Sequence, residues 1–270
     1  MRQRVISGLI GAAVLLTAVF VLPTAGLLIL MELVTVMGAY EFLAATGFVK
    51  NRAMLMLSLI FSLLPLVWVY CGGSAALALT AIYLYIVALF ALSLGSAGQV
   101  TLEQLGGAFF TSLFLPVCMS ALLRLRMGQY GKLMVLAPFV VSVMTDTMAY
   151  FVGRKLGRVK LAPAISPKKT WEGAVGGLVG GIGSLMLYAL LLNRTCQIPV
   201  LWGRLAFTGF FVSVLSQFGD LCFSYIKRRF GLKDYGNIMP GHGGILDRLD
   251  SVLFAAPAML LLMSLMGGLL

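Results

Sequence analysis

Charge is scarce in this chain. Lys, Arg, Asp and Glu make up only 11% of its 270 residues, where a soluble domain carries about 25% to cover its surface. Hydrophobic residues reach 60% and the mean hydropathy is +1.01. That excludes both a soluble globular domain and a disordered one, which needs low hydrophobicity. Histidine is nearly absent: the single His242 excludes a multi-histidine metal site. The four cysteines (Cys71, Cys118, Cys196, Cys222) are scattered and form no Cys-x-x-Cys pair, which argues against disulfide or zinc chemistry. Also missing are the roughly ten-residue alternating segments of a membrane β-barrel. The apolar runs are continuous and close to helix length, so the expected fold class is all-α, a polytopic integral membrane protein.

A bilayer-spanning helix takes about 20 apolar residues. Nine spans are expected, near 5–22, 25–46, 53–71, 74–95, 104–123, 133–153, 171–192, 200–222 and 251–270. Arg2 and Arg4 followed by an apolar run resemble a signal peptide. No small-residue cleavage site follows, so this run reads as a retained first helix. Arg124, Arg126, Lys132, Arg194 and Arg204 fall on one side of such a topology, and the rest of the 20 Lys and Arg share the side of the amino terminus. That bias predicts a cytoplasmic amino terminus. The net charge of +11 then reads as a positive cytoplasmic face or an anion site, with no nucleic acid partner. In the seventh span Gly173, Gly177 and Gly181 recur every fourth residue. Small residues so spaced let helix backbones approach closely in lipid, either within the chain or between subunits.

The acids are unevenly placed. Only Glu32, Glu41 and Glu103 precede residue 146; Asp146, Glu172, Asp220, Asp234, Asp247 and Asp250 lie in or beside the two long cytoplasmic loops. Ionisable residues at a membrane span are costly and point to function. The densest stretch runs from Asp220 to Asp250. On a helix, Asp220, Ser224 and Lys227/Arg228 share a face, and Asp247 and Asp250 share another. Gly243-Gly244 before a helix start would leave backbone N–H groups for a phosphate. Carboxylates without His or Cys suit a hard ion, Mg²⁺ above all, which binds through a few carboxylates plus substrate phosphates. The interleaved Lys and Arg suit the remaining phosphate charge. These residues argue for a metal-dependent phosphate or nucleotide site at the cytoplasmic membrane boundary.

From Ser224 through Lys227-Arg228, Lys233-Asp234, Pro240, His242-Gly243-Gly244 and Asp247-Arg248 to Asp250, the chain resembles the signature of the phosphatidate cytidylyltransferase (CDP-diacylglycerol synthase) family. Every fixed position is occupied; Ile238 and Met239 stand where leucines are commoner. Asp146 to Gly157 and Ile165 to Gly173 resemble a second block of that family, and Tyr40-Glu41-Phe42 a weaker early one. Motif coverage therefore divides the chain into residues 1–100, a scaffold and lipid path, and 101–270, the catalytic part.

The resemblance implies transfer of CMP from CTP to phosphatidate, giving CDP-diacylglycerol and pyrophosphate, in a multi-pass cell-membrane enzyme. It implies Mg²⁺, one or two divalent ions, with a monovalent cation and a homodimer left open. Asp220 and Asp247 are the leading metal ligands, at facing ends of the last two spans, with Asp146 and Asp250 as second choices. Lys168, Lys169, Lys227, Arg228, Lys233 and Arg248 would meet CTP and lipid phosphates beside Ser224. Gly243 and Gly244 would offer backbone donors, and His242 would orient a phosphate or make a structural hydrogen bond. Thr170 and Ser166 are expected to cap the seventh span, and Glu172 to orient Lys168 or Lys169 or to face the helix dipole. A CTP-dependent polyprenol or other lipid kinase is the competing enzyme reading, and a transporter the non-enzymatic one.

Overall fold

The computed structural model describes residues 2–96, 99–238 and 243–266. Its elements are α1 (Arg2–Val21), α2 (Thr24–Thr46), α3 (Arg52–Cys71), α4 (Ala75–Gly95), α5 (Leu102–Met127), α6 (Gly131–Met134), α7 (Ala137–Leu156), β1 (Lys160–Ala162), β2 (Ser166–Thr170), α8 (Trp171–Cys196), α9 (Trp202–Arg229) and α10 (Leu246–Leu265). Among the described residues, eight helices are long and apolar enough to cross a membrane, and α1 adds a shorter apolar run, Ile10–Val21. The protein is a multi-pass membrane protein. Its outward surfaces agree: α4 buries only Tyr85 and Leu89, and Leu79 and Leu94 stand exposed, as side chains facing lipid would.

Two features differ from the expectation. The polar stretch after α7, read as a loop, contains an antiparallel hairpin pairing Lys160 with Thr170 and Ala162 with Ser166. The last two helices are also displaced: α9 continues to Arg229 and α10 starts at Leu246. Apolar counting stops at the first charges, whereas a helix tolerates basic residues in its last turn, where they complement the dipole.

The chain forms two compact units, Met1–Arg124 with Asp234–Arg248, and Leu125–Lys233 with Leu249–Leu270. The 234–248 stretch joins the first unit by folding back onto α2. In the first unit, α3, α4 and α5 meet at Met54, Phe61, Tyr85, Leu89, Leu105 and Ala108. Tyr85 stacks on Phe61 at 4.0 Å between centroids, and its hydroxyl lies 3.0 Å from Ser58 Oγ and 2.7 Å from Ser112 Oγ. Interhelical hydrogen bonds of this sort hold helices together where burial in lipid supplies no drive.

In the second unit α7, α8 and α9 pack on one another around small and branched residues, among them Ala137, Val141, Leu185, Ala189, Val212 and Ala255. The glycine stripe is used inside the chain. A Cβ on Gly177 would lie 2.8 Å from Thr145 O, and one on Gly173 would lie 2.8 Å from Ala149 O. These glycines therefore set the distance between α7 and α8.

Candidate active site

The second unit gathers one set of charged residues. Asp146 projects from α7, Lys169 from β2, Asp220, Ser224 and Lys227 from α9, and Asp250 and Ser251 from α10. Close helix approach brings them together. A Cβ on Gly219 would lie only 2.8 Å from Asp250 O, so glycine beside Asp220 allows α10 to reach α9. Lys169 Nζ lies 2.6 Å from Asp220 Oδ2. Ser224 Oγ donates to Asp220 Oδ1 at 3.3 Å, one turn along α9. Ser251 Oγ donates to Asp146 Oδ2 at 3.1 Å. The carboxylates of Asp146, Asp220 and Asp250 lie in electrostatic reach of one another, with Lys169 acting on Asp146 and Lys227 on Asp250. Lys227 is buried, at 8% exposure, where a cation persists only among opposite charges.

The hairpin presents Lys169. Thr170, its last residue, caps α8: Thr170 Oγ1 accepts from Gly173 N at 3.1 Å. Ser166 begins β2 and lies too far from the helix start to cap it. Glu172 fastens the base of the hairpin, with Val159 N donating to its carboxylate at 3.3 and 3.4 Å. Arg228 holds the hairpin's other end: its Nε donates to Ile165 O at 3.3 Å and its Nη1 to Leu232 O at 3.0 Å. Lys168 is exposed.

The first unit holds the rest of the signature. Asp247 is 7% exposed, and its Oδ2 accepts from Tyr235 N at 2.8 Å and Gly244 N at 3.1 Å. The two N–H groups that follow belong to the start of α10. Ile245 N donates to Glu41 Oε1 at 3.1 Å and Leu246 N to Glu41 Oε2 at 3.0 Å. The Gly244 donor expected to face a phosphate is therefore committed to Asp247, and a protein carboxylate already caps the helix start. Gly243 takes φ +85°, a left-handed conformation open to glycine at little cost. Lys233 and Arg248 are exposed. His242 lies outside the described residues.

Sequence reading missed two of these participants. Glu41 lies in a weak motif on an apolar helix, and nothing near it in sequence announces a cap on residues 245 and 246. Ser251 follows Asp250 directly, yet its partner Asp146 is reached only through the helix packing.

Among the described residues no group of three or more Asp, Glu, His or Cys side chains is drawn tightly enough to hold a metal ion. The donor chemistry nevertheless suits one. Asp146, Asp220 and Asp250 are hard oxygen donors with no nitrogen or sulfur ligand among them, the set preferred by Mg²⁺. The Lys169 ammonium sits on Asp220, so positive charge is already placed where these acids call for it.

Comparison with known proteins agrees with the resemblance in the signature. The profile of the cytidylyltransferase family matches residues 2–266. A phosphatidate cytidylyltransferase of Bacillus subtilis (strain 168) is 34% identical over 98% of this chain and 98% of its own. One from Haemophilus influenzae is 30% identical over 95% of this chain and 96% of its own. One from Thermotoga maritima is 38% identical over 59% of this chain and 56% of its own. The chain belongs to the cytidylyltransferase family. It is a nucleotidyltransferase enzyme, built into a membrane.

Proposed function

We propose that this enzyme transfers CMP from CTP to phosphatidate, releasing pyrophosphate, with its amino terminus and active site on the cytoplasmic side of the cell membrane. The observation that carries the reading is the charged cluster of the second unit: Asp146, Asp220 and Asp250 with Lys169 and Lys227, on helices long and apolar enough to span a bilayer. A lipid phosphate and a nucleotide triphosphate can meet only at such a boundary. The homologues' names supply the two substrates, and the distribution of Lys and Arg supports the orientation.

The reaction joins a phosphatidate oxygen to the α-phosphorus of CTP. The bond from that phosphorus to the bridging oxygen breaks, and its electron pair leaves with pyrophosphate. The attacking oxygen is already anionic, so no general base is required. The barrier is electrostatic, because two anions must be brought together in line, and positioned cations lower it. Lys169 and Lys227 supply fixed positive charge inside the cluster. Lys168, Lys233 and Arg248 are exposed and suit the outer phosphates. Ser224 and Ser251 orient the carboxylates of Asp220 and Asp146. Asp146, Asp220 and Asp250 would hold one or two Mg²⁺ ions, which would neutralise the triphosphate and stabilise the departing pyrophosphate. Asp247 keeps the loop before α10 closed through its two backbone bonds.

The test is incubation of the purified protein in detergent with phosphatidate, Mg²⁺ and CTP labelled at the α-phosphate. Label should enter the lipid phase with equimolar pyrophosphate. An Asp220→Asn variant should lose about a hundredfold or more in rate, the size expected when a charge-stabilising group is removed. Release of CDP without labelled lipid would instead identify a lipid kinase. Untouched CTP with folded protein would reject this pair of substrates.

A further inference from the structure

We infer that Glu41, far from the signature in sequence, is a positioning residue for it: its carboxylate fixes the start of α10 and the glycines beside it, and thereby the reach of the enzyme for CTP and metal. The inference rests on the proposed transferase reading. Glu41 lies in α2, is 4% exposed, and divides its two oxygens between two backbone donors, Ile245 N and Leu246 N. The first N–H groups of a helix have no partner within the helix. A carboxylate there satisfies them and meets the positive end of the helix dipole, in charge-assisted bonds stronger than neutral ones.

The signature is shaped around this carboxylate. A Cβ on Gly244 would lie 2.5 Å from Glu41 Oε2, and one on Gly236 would press on Glu41 Oε1. Neither glycine has the left-handed backbone that would call for glycine in itself; among the described glycines of residues 236–244 only Gly243 does. Space for Glu41 is what keeps side chains off positions 236 and 244. Phe42, the next residue of α2, stacks on Tyr235 at 5.6 Å between centroids, and Tyr235 N in turn donates to Asp247. Both ends of the 235–246 stretch are thus fastened to α2. Arg248 follows within the first turn of α10, so its direction depends on how that helix begins. Lys233 stands exposed just before the fastened stretch.

The experiment compares wild type with Glu41→Ala, Glu41→Gln, Gly244→Ala and the Glu41→Ala/Gly244→Ala double variant in the labelled-CTP assay, titrating CTP and Mg²⁺ separately. Loss of positioning should raise the CTP and Mg²⁺ concentrations for half-maximal rate by about tenfold, with Glu41→Gln between wild type and Glu41→Ala. Gly244→Ala alone should resemble Glu41→Ala, and adding it to Glu41→Ala should cost nothing more, because the group it collides with is gone. A merely structural role would lower the active fraction, hence the maximal rate, and leave both half-maximal concentrations unchanged. That result, or additive effects in the double variant, overturns the inference. Limited trypsin cleavage after Lys233 gives a readout independent of activity: it should quicken in Glu41→Ala and Gly244→Ala at temperatures where all variants stay folded. Faster cleavage with no wild-type transferase activity would retain the clamp and reject the transferase reading. Unchanged cleavage would reject the clamp.

Discussion

Lys169 Nζ stands 2.6 Å from Asp220 Oδ2, and the same ammonium acts on Asp146. A lysine on a short hairpin thus balances carboxylates supplied by two membrane helices. The pairing gives the hairpin a purpose that its length alone does not suggest. Thr170 and Glu172 hold its root to α8, Arg228 holds its turn, and Lys169 is delivered to the acids.

Replacing Lys169 with Met should expose how much the acids depend on that charge. Breaking a fully buried pair costs about 3–5 kcal/mol, but the two side chains keep 26% and 23% of their exposure. Solvent screening brings the expected loss down to about 1–2 kcal/mol. In detergent with a chelator, the variant should melt below wild type. Added Mg²⁺ should raise its melting temperature more than it raises that of wild type, because ammonium and Mg²⁺ draw on the same oxygens. Equal shifts in the two proteins would mean that Lys169 does not stand where the metal binds.

Asp247 offers a separation of charge from scaffold. Its Oδ2 takes two backbone N–H groups, and an Asn carbonyl at that place can keep taking them. Asp247→Ala leaves both donors buried without an acceptor, at about 1–3 kcal/mol each. Thermal unfolding should therefore place Asp247→Asn below wild type, because a charged acceptor of two buried bonds becomes a neutral, weaker one, and Asp247→Ala lower still. The activity of Asp247→Asn then reads the negative charge alone. If both variants melt together, the two backbone bonds do not hold the loop.

The helices were legible because each apolar run carries its own signal: length and hydropathy are local, and α2, α3 and α4 begin and end within a residue or so of expectation. Thr170 was legible for the same reason, since a cap acts on the residues just after it. The hairpin was not, because strands of 3 and 5 residues leave no periodicity in a polar stretch punctuated by Pro163 and Pro167. On the signature helix, the grouping of Asp220 and Ser224 followed from the helical repeat, and the two do bond. What Asp220 shares with Asp146 and Lys169 followed from no spacing at all, because it depends on which helices pack together. Glu41 is the extreme case. Its partners lie 204 and 205 residues away, so the Gly243-Gly244 run looked like an open phosphate cradle when its neighbouring donors already had a protein carboxylate.

The glycine stripe of α8 makes a last prediction, one that reaches the site through packing. Gly177 sits against the backbone of α7, where a Cβ would meet Thr145 O at 2.8 Å and Ala149 Cβ at 3.0 Å. Thr145 directly precedes Asp146. A larger residue at 177 can be accommodated only by moving α8 away from α7, and overpacking of this kind costs about 1–3 kcal/mol. Gly183 lies on the same helix with nothing within 4 Å of its would-be Cβ. Gly177→Val should lower the melting temperature and reduce CMP transfer, because Asp146 moves with α7 relative to Asp220 on α9. Gly183→Ala should leave both near wild type, or raise stability slightly, since alanine is the better helix former. Measuring the pair side by side removes the general effect of adding bulk to a membrane helix. If Gly183→Ala harms the enzyme as much as Gly177→Val does, the stripe's spacing is not what sets the position of Asp146.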